Sequence, residues 1–274
     1  MSLSIRTNVS SLNAQRNMSA TQTQLDSSLA RLSSGYRITK AGDDAAGLGI
    51  STNLEAQIRS YGQAVRNAND GLSLIQAAEA GLNQSANILT RLRELAMQSA
   101  SDGVGSTERG YIQTEATQLV AELDRVAATA EYNGTSLLTA TAATLSFQVG
   151  IRATANDKID FVTVNGTSAG LSVGGLSFTT KAGATAALAA IDTGLERVST
   201  ARASIGAAGN RFAETIASIQ SMSEALSAAN SRIRDVDVAE ETSKLSRAQI
   251  LAQAGVSVLA QANQMPQMAL KLLG

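Results

Sequence analysis

The sequence contains no cysteine and no histidine, and these two absences exclude several kinds of chemistry. Without cysteine the chain can form no disulfide and offers no thiol nucleophile. Without histidine it can hold neither a Ser–His–Asp triad nor the common zinc sites. No pair of carboxylates stands out as an acid–base site, so the sequence predicts no enzyme, no bound metal and no cofactor.

Aromatic residues and proline are scarce, and both shortages indicate helices. Phe, Tyr and Trp together make up 3% of the 274 residues, tryptophan is absent, and there is one proline. A thick core of sheets and helices normally buries many aromatic rings, and proline interrupts helices. The 44% of hydrophobic residues, many of them alanine, therefore favour long helices packed through small and aliphatic side chains.

Charge and hydropathy argue against two kinds of partner. The formal net charge is −1, so no overall field attracts nucleic acid. No apolar run reaches the roughly 18 residues of a membrane span. The N-terminal stretch also lacks the apolar core of a cleaved secretory signal. We expect neither nucleic acid nor a membrane to be a binding partner.

The clearest pattern lies near the C-terminus. Alanine or glycine recurs at every seventh position from Ala248, and a larger apolar residue follows each of them three positions later. This spacing places small and large apolar side chains along one wide face of a helix. We call this face the terminal stripe; it comprises Leu251, Ala252, Gly255, Val258, Leu259, Ala262 and Met265. Because alanine buries little area, we expect other copies of the chain to complete the burial of this helix.

Helical periodicity divides the rest of the chain into segments. The predicted order is an N-terminal coiled-coil helix at 1–33, a connector at 34–44, rod-domain helices at 45–136, a β-hairpin region at 137–180, a return helix at 181–231 and a C-terminal coiled-coil helix at 232–274. In the first helix the expected buried side comprises Ile5, Val9, Leu12, Met18, Leu25, Leu29 and Leu32. Gly35 is a natural C-cap for that helix, and Asp43 or Asp44 is a natural N-cap for the next one.

The β-hairpin region differs in pattern from its surroundings. Apolar and polar residues alternate at 144–150 and 158–164, and β-branched residues recur at 171–180. We predict two or three short antiparallel strands there. The expected fold class is therefore mainly α: a long antiparallel helical bundle or coiled coil with a small β-hairpin region.

Several long motifs resemble those of bacterial flagellin. The N-terminal signature of that family is similar to SLNAQRN (11–17) and LARLSSGYRITKAGDDAAGLGIS (29–51). Its long central helix is similar to NDGLSLIQAAEAGLNQ (69–84) and RLRELAMQSA (91–100), and its C-terminal signature to SRAQILAQAGVSVLAQANQMPQMALKLL (246–273). The resemblance implies a flagellin-like fold in minimal form, because the large outer domains that many flagellins insert are missing.

The same resemblance implies a function and partners. A flagellin is a subunit that polymerises into the extracellular flagellar filament used for swimming. Its partners are other copies of itself, the cap and hook-junction proteins, and an export chaperone on the C-terminal helix. One alternative is a hook–filament junction protein, which shares the terminal helices. A signalling coiled coil of the chemoreceptor type is a weaker alternative, because it would need membrane segments.

A receptor contact also follows from the resemblance. In flagellins a vertebrate Toll-like receptor binds the long helix through an arginine–leucine patch and a glutamate on the next helix. The matching residues here are Arg91, Leu95 and Glu115, with Gln98 close by. Arg91, Leu95 and Gln98 are spaced so that they can share one helix face. The alternative interpretation is that Leu95 belongs to the core and Arg91 contacts a neighbouring subunit.

Overall fold

Long helices dominate the computed structural model, which describes residues 7–139 and 143–273. The elements in that part are α1 (Val9–Ser34), α2 (Ala45–Ser99), α3 (Ser106–Thr129), β1 (Glu131–Tyr132), β2 (Thr135–Ser136), β3 (Thr144–Gln148), a 3-10 turn (Ala155–Asp157), β4 (Lys158–Val162), α4 (Lys181–Arg234) and α5 (Val238–Leu273). The predicted mainly α fold with small antiparallel hairpins is confirmed. Ile5, predicted to begin the first helix's buried side, lies outside the described residues.

The chain divides into two compact units, each built around antiparallel helices. The terminal unit consists of Met1–Ala56 with Ala225–Gly274, and the rod unit consists of Gln57–Glu224. In the terminal unit the start of α1 meets the later part of α5, since the Asn8 side chain donates to the Ala262 backbone oxygen at 2.7 Å. The end of α1 meets the start of α5, where Arg31 lies 4.0 Å from Glu241. These contacts make α1 and α5 an antiparallel pair.

The inner side of α1 is only partly apolar. Its least exposed positions alternate in steps of three and four, the spacing of a coiled-coil seam: Ser11, Ala14, Met18, Thr21, Leu25, Ser28 and Leu32. Three of the predicted buried residues are in fact exposed, Val9 by 59%, Leu12 by 49% and Leu29 by 44%. The prediction assigned the buried side of α1 from its hydrophobic residues. It was wrong at these three positions because the side of α1 that faces α5 includes the hydroxyl residues Ser11, Thr21 and Ser28.

The connector is held by caps at both ends. Gly35 ends α1 with φ 74°, and its N–H donates to the Arg31 oxygen at 2.9 Å. This left-handed conformation suits glycine because it has no Cβ. Asp44 caps α2, since its Oδ1 accepts from the Gly47 N–H at 2.8 Å. The chain therefore leaves one helix and enters the next at fixed points.

The rod unit packs α2 against both α3 and α4. Arg93 Nε lies 2.7 Å from Asp192 Oδ1, and Gly71 lies against Phe212, so α2 and α4 are antiparallel. Arg109 Nε donates to the Ser99 oxygen at 2.9 Å, which closes the α2–α3 hairpin. The fully buried side chains of this core include Leu82, Leu89, Leu92, Leu95, Leu123, Ile191 and Phe212. Apolar area removed from water in this way is the main stabilising contribution.

Strands β3 and β4 form one antiparallel hairpin with a covered face. Leu145 pairs with Phe161 and Phe147 pairs with Ile159. Phe161 and Ile159 are buried, and the Phe147 ring meets Phe212 edge-on with centroids 5.5 Å apart. The aromatic contact attaches the hairpin to the helical core.

Of the two or three strands predicted in this region, β3 and β4 form, and the optional third at 171–180 does not. The backbone there runs through turns, yet Leu171, Val173 and Phe178 are buried. Side chains replace a strand partner: Ser99 Oγ donates to the Phe178 oxygen, and the Phe178 N–H donates to Gln113 Oε1, both at 2.6 Å. The β-branched composition of 171–180 suits a buried segment but did not make it a strand, because buried peptide groups need partners but not necessarily strands.

Candidate assembly surface

One row of the terminal stripe lies against α1. Ala248 and Ala262 are buried, and the residues between them on the same side, Ala252, Gly255 and Leu259, are half-buried. Their steps of four and three match the seam of α1. Ser11 Oγ donates to Asn263 Oδ1 at 2.8 Å beside this row. These residues, most of them small, form the α5 side of the contact between α1 and α5 within one subunit.

The other row of the stripe lies beside the contact with α1 and is largely exposed. Leu251 is 53% exposed and Val258 is 56% exposed. Ile250 and Val256, which lie outside the predicted stripe and on other sides of α5, are exposed as well. Met265, the last predicted member, has its side chain outside the described residues. We call Leu251 and Val258, which lie two turns apart on one side of α5, the open row.

The sequence around the open row carries no charge. From Ala248 to Leu270 there is no Asp, Glu, Lys or Arg. A helix at the surface of a soluble protein normally carries charged residues on the face opposite its apolar stripe. A contiguous exposed apolar surface is typical of an interaction site. The composition therefore suits a helix that is surrounded by other protein.

A groove between α1 and α5 continues from the open row. Its volume is about 430 Å³, and its lining is Ala20, Thr21, Gln24, Lys244, Arg247, Ala248 and Leu251. The apolar floor and basic end of the groove could receive an apolar side chain next to an acidic one.

A charge cluster fixes the start of α5 to the connector. The Glu241 carboxylate is nearly fully buried and lies 3.5 Å from Lys244 Nζ and 4.0 Å from Arg31. Arg31 also lies 3.8 Å from Asp43. A buried carboxylate that loses its cations is strongly destabilising, so these contacts hold the α1 end, the connector and α5 together.

Asp43 is stabilised in its charged form. Its Oδ2 accepts hydrogen bonds from the Thr39 N–H, the Thr39 hydroxyl and the Lys40 N–H at 3.1, 2.9 and 3.2 Å. The Thr39 N–H contributes most, and together with the other donors and Arg31 it lowers the pKa of Asp43 below its ordinary value against the opposing effect of burial.

The connector between α1 and α2 is hydrogen-bonded to the segment that joins α4 to α5. The Arg37 N–H donates to the Arg234 oxygen at 2.6 Å, and the Val236 N–H donates to the Gly35 oxygen at 3.0 Å. The Arg234 guanidinium lies 4.2 Å from the centre of the Tyr36 ring and pairs with Glu55 at 3.1 Å. Cation–π and backbone contacts thus join the connector to the segment that precedes α5.

The rod unit carries the residues matched to a receptor contact. Arg91 donates from Nε and Nη2 to Glu115 Oε1 at 3.0 and 2.8 Å, and from Nη1 to Glu94 at 2.9 Å. The hydrogen bonds to Glu94 and then Glu115 raise the pKa of Arg91. We call Arg91, Gln98 and Glu115, all exposed, the arginine patch. Glu94 was not predicted, although its spacing of three from Arg91 is that of a helical ion pair.

Leu95 does not join this patch. It is 2% exposed and belongs to the core of the rod unit. The expected apolar anchor is therefore not accessible in the subunit.

The described part of the chain offers neither a cluster of metal ligands nor a membrane-spanning helix. No group of carboxylates there is arranged to hold a metal ion. None of the described helices is long and apolar enough to cross a membrane.

Comparison with known proteins gives the same family along the whole chain. Residues 5–143 match the bacterial flagellin N-terminal helical region, and residues 188–273 match the bacterial flagellin C-terminal helical region. The chain is 42% identical to a flagellin of Halalkalibacterium halodurans over 98% of this chain and 99% of the relative. It is 37% identical to flagellin FlaB2 of Treponema pallidum with the same coverage.

A longer relative shows where this chain is short. Polar flagellin A of Vibrio parahaemolyticus is 34% identical over 376 positions that cover all of both chains. This chain fills 274 of those positions, so the relative carries insertions that are missing here.

Solved structures agree with the fold. The crystal structure of Bacillus cereus flagellin has a TM-score of 0.51 and 27% identity, covering 56% of this chain and 88% of that one. A putative flagellar hook-associated protein from Vibrio parahaemolyticus has a TM-score of 0.60 at 15% identity, covering 70% of this chain and all of that one, which shows a shared fold alone. The resemblance seen in the sequence motifs is confirmed: this chain belongs to the bacterial flagellins, the structural subunits of the flagellar filament.

Proposed function

We propose that this flagellin builds its filament, outside the cell, by burying the open row of α5 against other copies of the chain. The observation that supports this most directly is the exposure of Leu251 and Val258 on a stretch of helix without any charge. Burying one such side chain fully contributes about 1.5–3 kcal/mol, so a row of them on every subunit favours association strongly.

The α1–α5 pair is expected to be loose in the free subunit. Its seam contains hydroxyl side chains on α1 and mostly Ala and Gly on α5, which bury little apolar area. We propose that the ends of the chain fray in solution and become ordered when neighbours cover the open row. Slow amide exchange throughout α1 and α5 in the free subunit would contradict this.

Charge substitutions in the open row test the assembly surface. Leu251→Asp and Val258→Asp should prevent polymerisation, as measured by sedimentation and electron microscopy, because assembly would bury an unpaired carboxylate. Both sites are exposed, so helix content and thermal unfolding of the free subunit should not change. Gln253→Asp places the same charge on the far side of α5 from Leu251 and is the matched control. Normal filaments from both open-row variants would refute the proposal.

The remaining partners are proposed on the same surfaces. An export chaperone would cover the exposed apolar face of α5 before assembly, and the cap and hook-junction proteins would meet the ends of the filament. The arginine patch is proposed as the contact for the vertebrate Toll-like receptor for flagellin. We assign the chain no catalytic role. A hook–filament junction role would use the same fold, and the copy number of this chain in sheared filaments distinguishes the two.

A further inference from the structure

Two Asn-Gly pairs occur in the sequence, Asn133-Gly134 and Asn165-Gly166. In such a pair the backbone nitrogen of the glycine can attack the side-chain amide of the asparagine. Glycine favours this reaction because it has no Cβ to hinder the approach and restricts its backbone least. The structure places the two pairs in opposite circumstances, which makes one of them reactive and protects the other.

The first pair forms the tip of the β1–β2 hairpin. Asn133 and Gly134 are both exposed and both have positive φ, 49° and 74°. No group in the described residues hydrogen-bonds the Asn133 side chain or the Gly134 N–H. The strands on either side have two residues each. Such a short hairpin opens easily, so the glycine nitrogen can adopt the geometry of attack.

The second pair is held at the attacking nitrogen and at the side-chain oxygen. The Gly166 N–H donates to the Leu138 oxygen at 2.8 Å, and Gly166 is buried. Asn165 Oδ1 accepts from the Thr167 N–H at 3.1 Å and from the Thr167 hydroxyl at 2.7 Å. The reaction would have to break these hydrogen bonds first, one of them in a buried setting.

We propose that Asn133 is a site of spontaneous deamidation in this flagellin. The deprotonated nitrogen of Gly134 forms a bond to Cγ of Asn133, and the side-chain nitrogen leaves as ammonia, giving a cyclic imide. Water then adds to either carbonyl of the ring and opens it. The product is aspartate or, when the backbone continues through the side-chain carboxyl carbon, isoaspartate.

The product differs from the original subunit in charge and in backbone. The formal net charge of −1 becomes −2, so each conversion doubles it. Isoaspartate also adds a carbon to the backbone of a turn whose flanking residues, Tyr132 and Thr135, are paired. A subunit remains in its filament after assembly, so slow conversion at this turn would make old filament more negative than new filament.

Time-resolved peptide mapping of the purified full-length protein tests the proposal. In mildly alkaline buffer, Asn133 should convert faster than Asn165 by a factor on the order of ten or more, because only Asn165 must break hydrogen bonds. In denaturant the two rates should approach each other, since both are Asn-Gly pairs. Equal rates in the folded protein, or faster conversion of Asn165, would overturn the proposal.

A variant of the attacking residue provides the control. Gly134→Ala places a Cβ beside the nucleophilic nitrogen, so conversion of Asn133 should slow while that of Asn165 does not change. Because alanine is strained at the φ of Gly134, the same comparison is repeated in denaturant, where the turn is absent and only the steric effect remains. An unchanged rate at Asn133 in both conditions would mean that the loss of the amide does not proceed through Gly134.

Discussion

The side-chain nitrogen of Asn8 lies 2.7 Å from the backbone oxygen of Ala262, so a hydrogen bond joins residues 254 positions apart. Asn8 is also the N-cap of α1, because its Oδ1 accepts from the Ser11 N–H at 3.1 Å. One asparagine therefore starts the first helix and attaches it to the last one. The antiparallel pairing of the chain ends depends on such polar contacts as much as on apolar area.

Leu259→Asp should disrupt both the free subunit and the filament. Leu259 is half-buried in the row that lies against α1, so a carboxylate there would lose water without gaining a cation. Circular dichroism should show less helix in the free subunit, and sedimentation should show no polymer. Ala260→Asp, at the adjacent exposed position, should keep the helix content. Full helix content and normal filaments from Leu259→Asp would show that this row is not an interface.

Two glycine-to-alanine variants should change subunit stability in opposite directions. A Cβ on Gly71 would lie 2.7 Å from ring atoms of Phe212, so Gly71→Ala should lower the free energy of unfolding by about 1–3 kcal/mol. A Cβ on Gly255 would meet no atom within 4 Å. Gly255→Ala should raise the free energy of unfolding by about 0.5–1 kcal/mol, since glycine weakens a helix interior. Denaturant unfolding measures both, and the same sign for both would contradict the packing described here.

Gly255→Ala should also separate subunit stability from assembly. Gly255 lies in the row that faces α1 and not in the open row, so the added methyl group should leave the contact between copies unchanged. The free energy of unfolding should rise while the critical concentration for filament formation does not. A higher critical concentration would show that another copy also approaches α5 at Gly255.

Arg91→Ala should weaken receptor signalling and leave the fold intact. Arg91 is exposed and its two carboxylate partners are exposed as well, so its removal changes unfolding little. Reporter cells that carry the receptor should respond less to this variant and to Gln98→Ala. Leu95→Asp is unsuitable for this test because it would place a charge in the core. An undiminished response to Arg91→Ala would remove the arginine patch from the proposal.

Asp43→Asn should destabilise the terminal unit at neutral pH and matter less in acid. The folded chain lowers the pKa of Asp43, chiefly through the Thr39 N–H, so the unfolded chain binds this proton more readily. Its stabilising contribution is therefore fully present above the ordinary carboxyl pKa of about 4 and is lost as the pH falls through the lower folded value. Thermal unfolding of both proteins along a pH series measures the difference.

Thr39→Val serves as the matched variant for that experiment. It removes the hydroxyl donor to Asp43 and keeps the stronger backbone donor, so its effect should have the same pH dependence and a smaller size. A difference between wild type and Asp43→Asn that persists unchanged in acid would show that charge at this position is not what stabilises the connector.

Periodicity and caps predicted most of the helical architecture. The signals at Gly35 and Asp44 act locally, through one backbone conformation and one hydrogen bond, so they can be read without knowing the tertiary fold. The turn at Asn133-Gly134 is equally local. By contrast, the sequence left open whether 171–180 forms a third strand. Its conformation depends on the side chains of Ser99 and Gln113, which hydrogen-bond its backbone from far away in the sequence.

The candidate site was predicted less completely than the fold. Hydrophobic spacing found Leu251 and Val258 but could not separate the row that faces α1 from the row that faces outward. That division depends on which helix lies next to α5 and at what angle. For the same reason Leu95 was matched to a surface contact although the packing of α2 in the rod unit covers it.

The antiparallel pairing of α1 with α5 also constrains the order of folding. Contacts between α1 and α5 join residues as many as 254 positions apart, and contacts of such large sequence separation form slowly because closing the long loop between them costs entropy. A polypeptide delivered N-terminus first therefore carries α1 without its partner helix until α5 arrives. Formation of this pair consequently requires that α5 has been delivered.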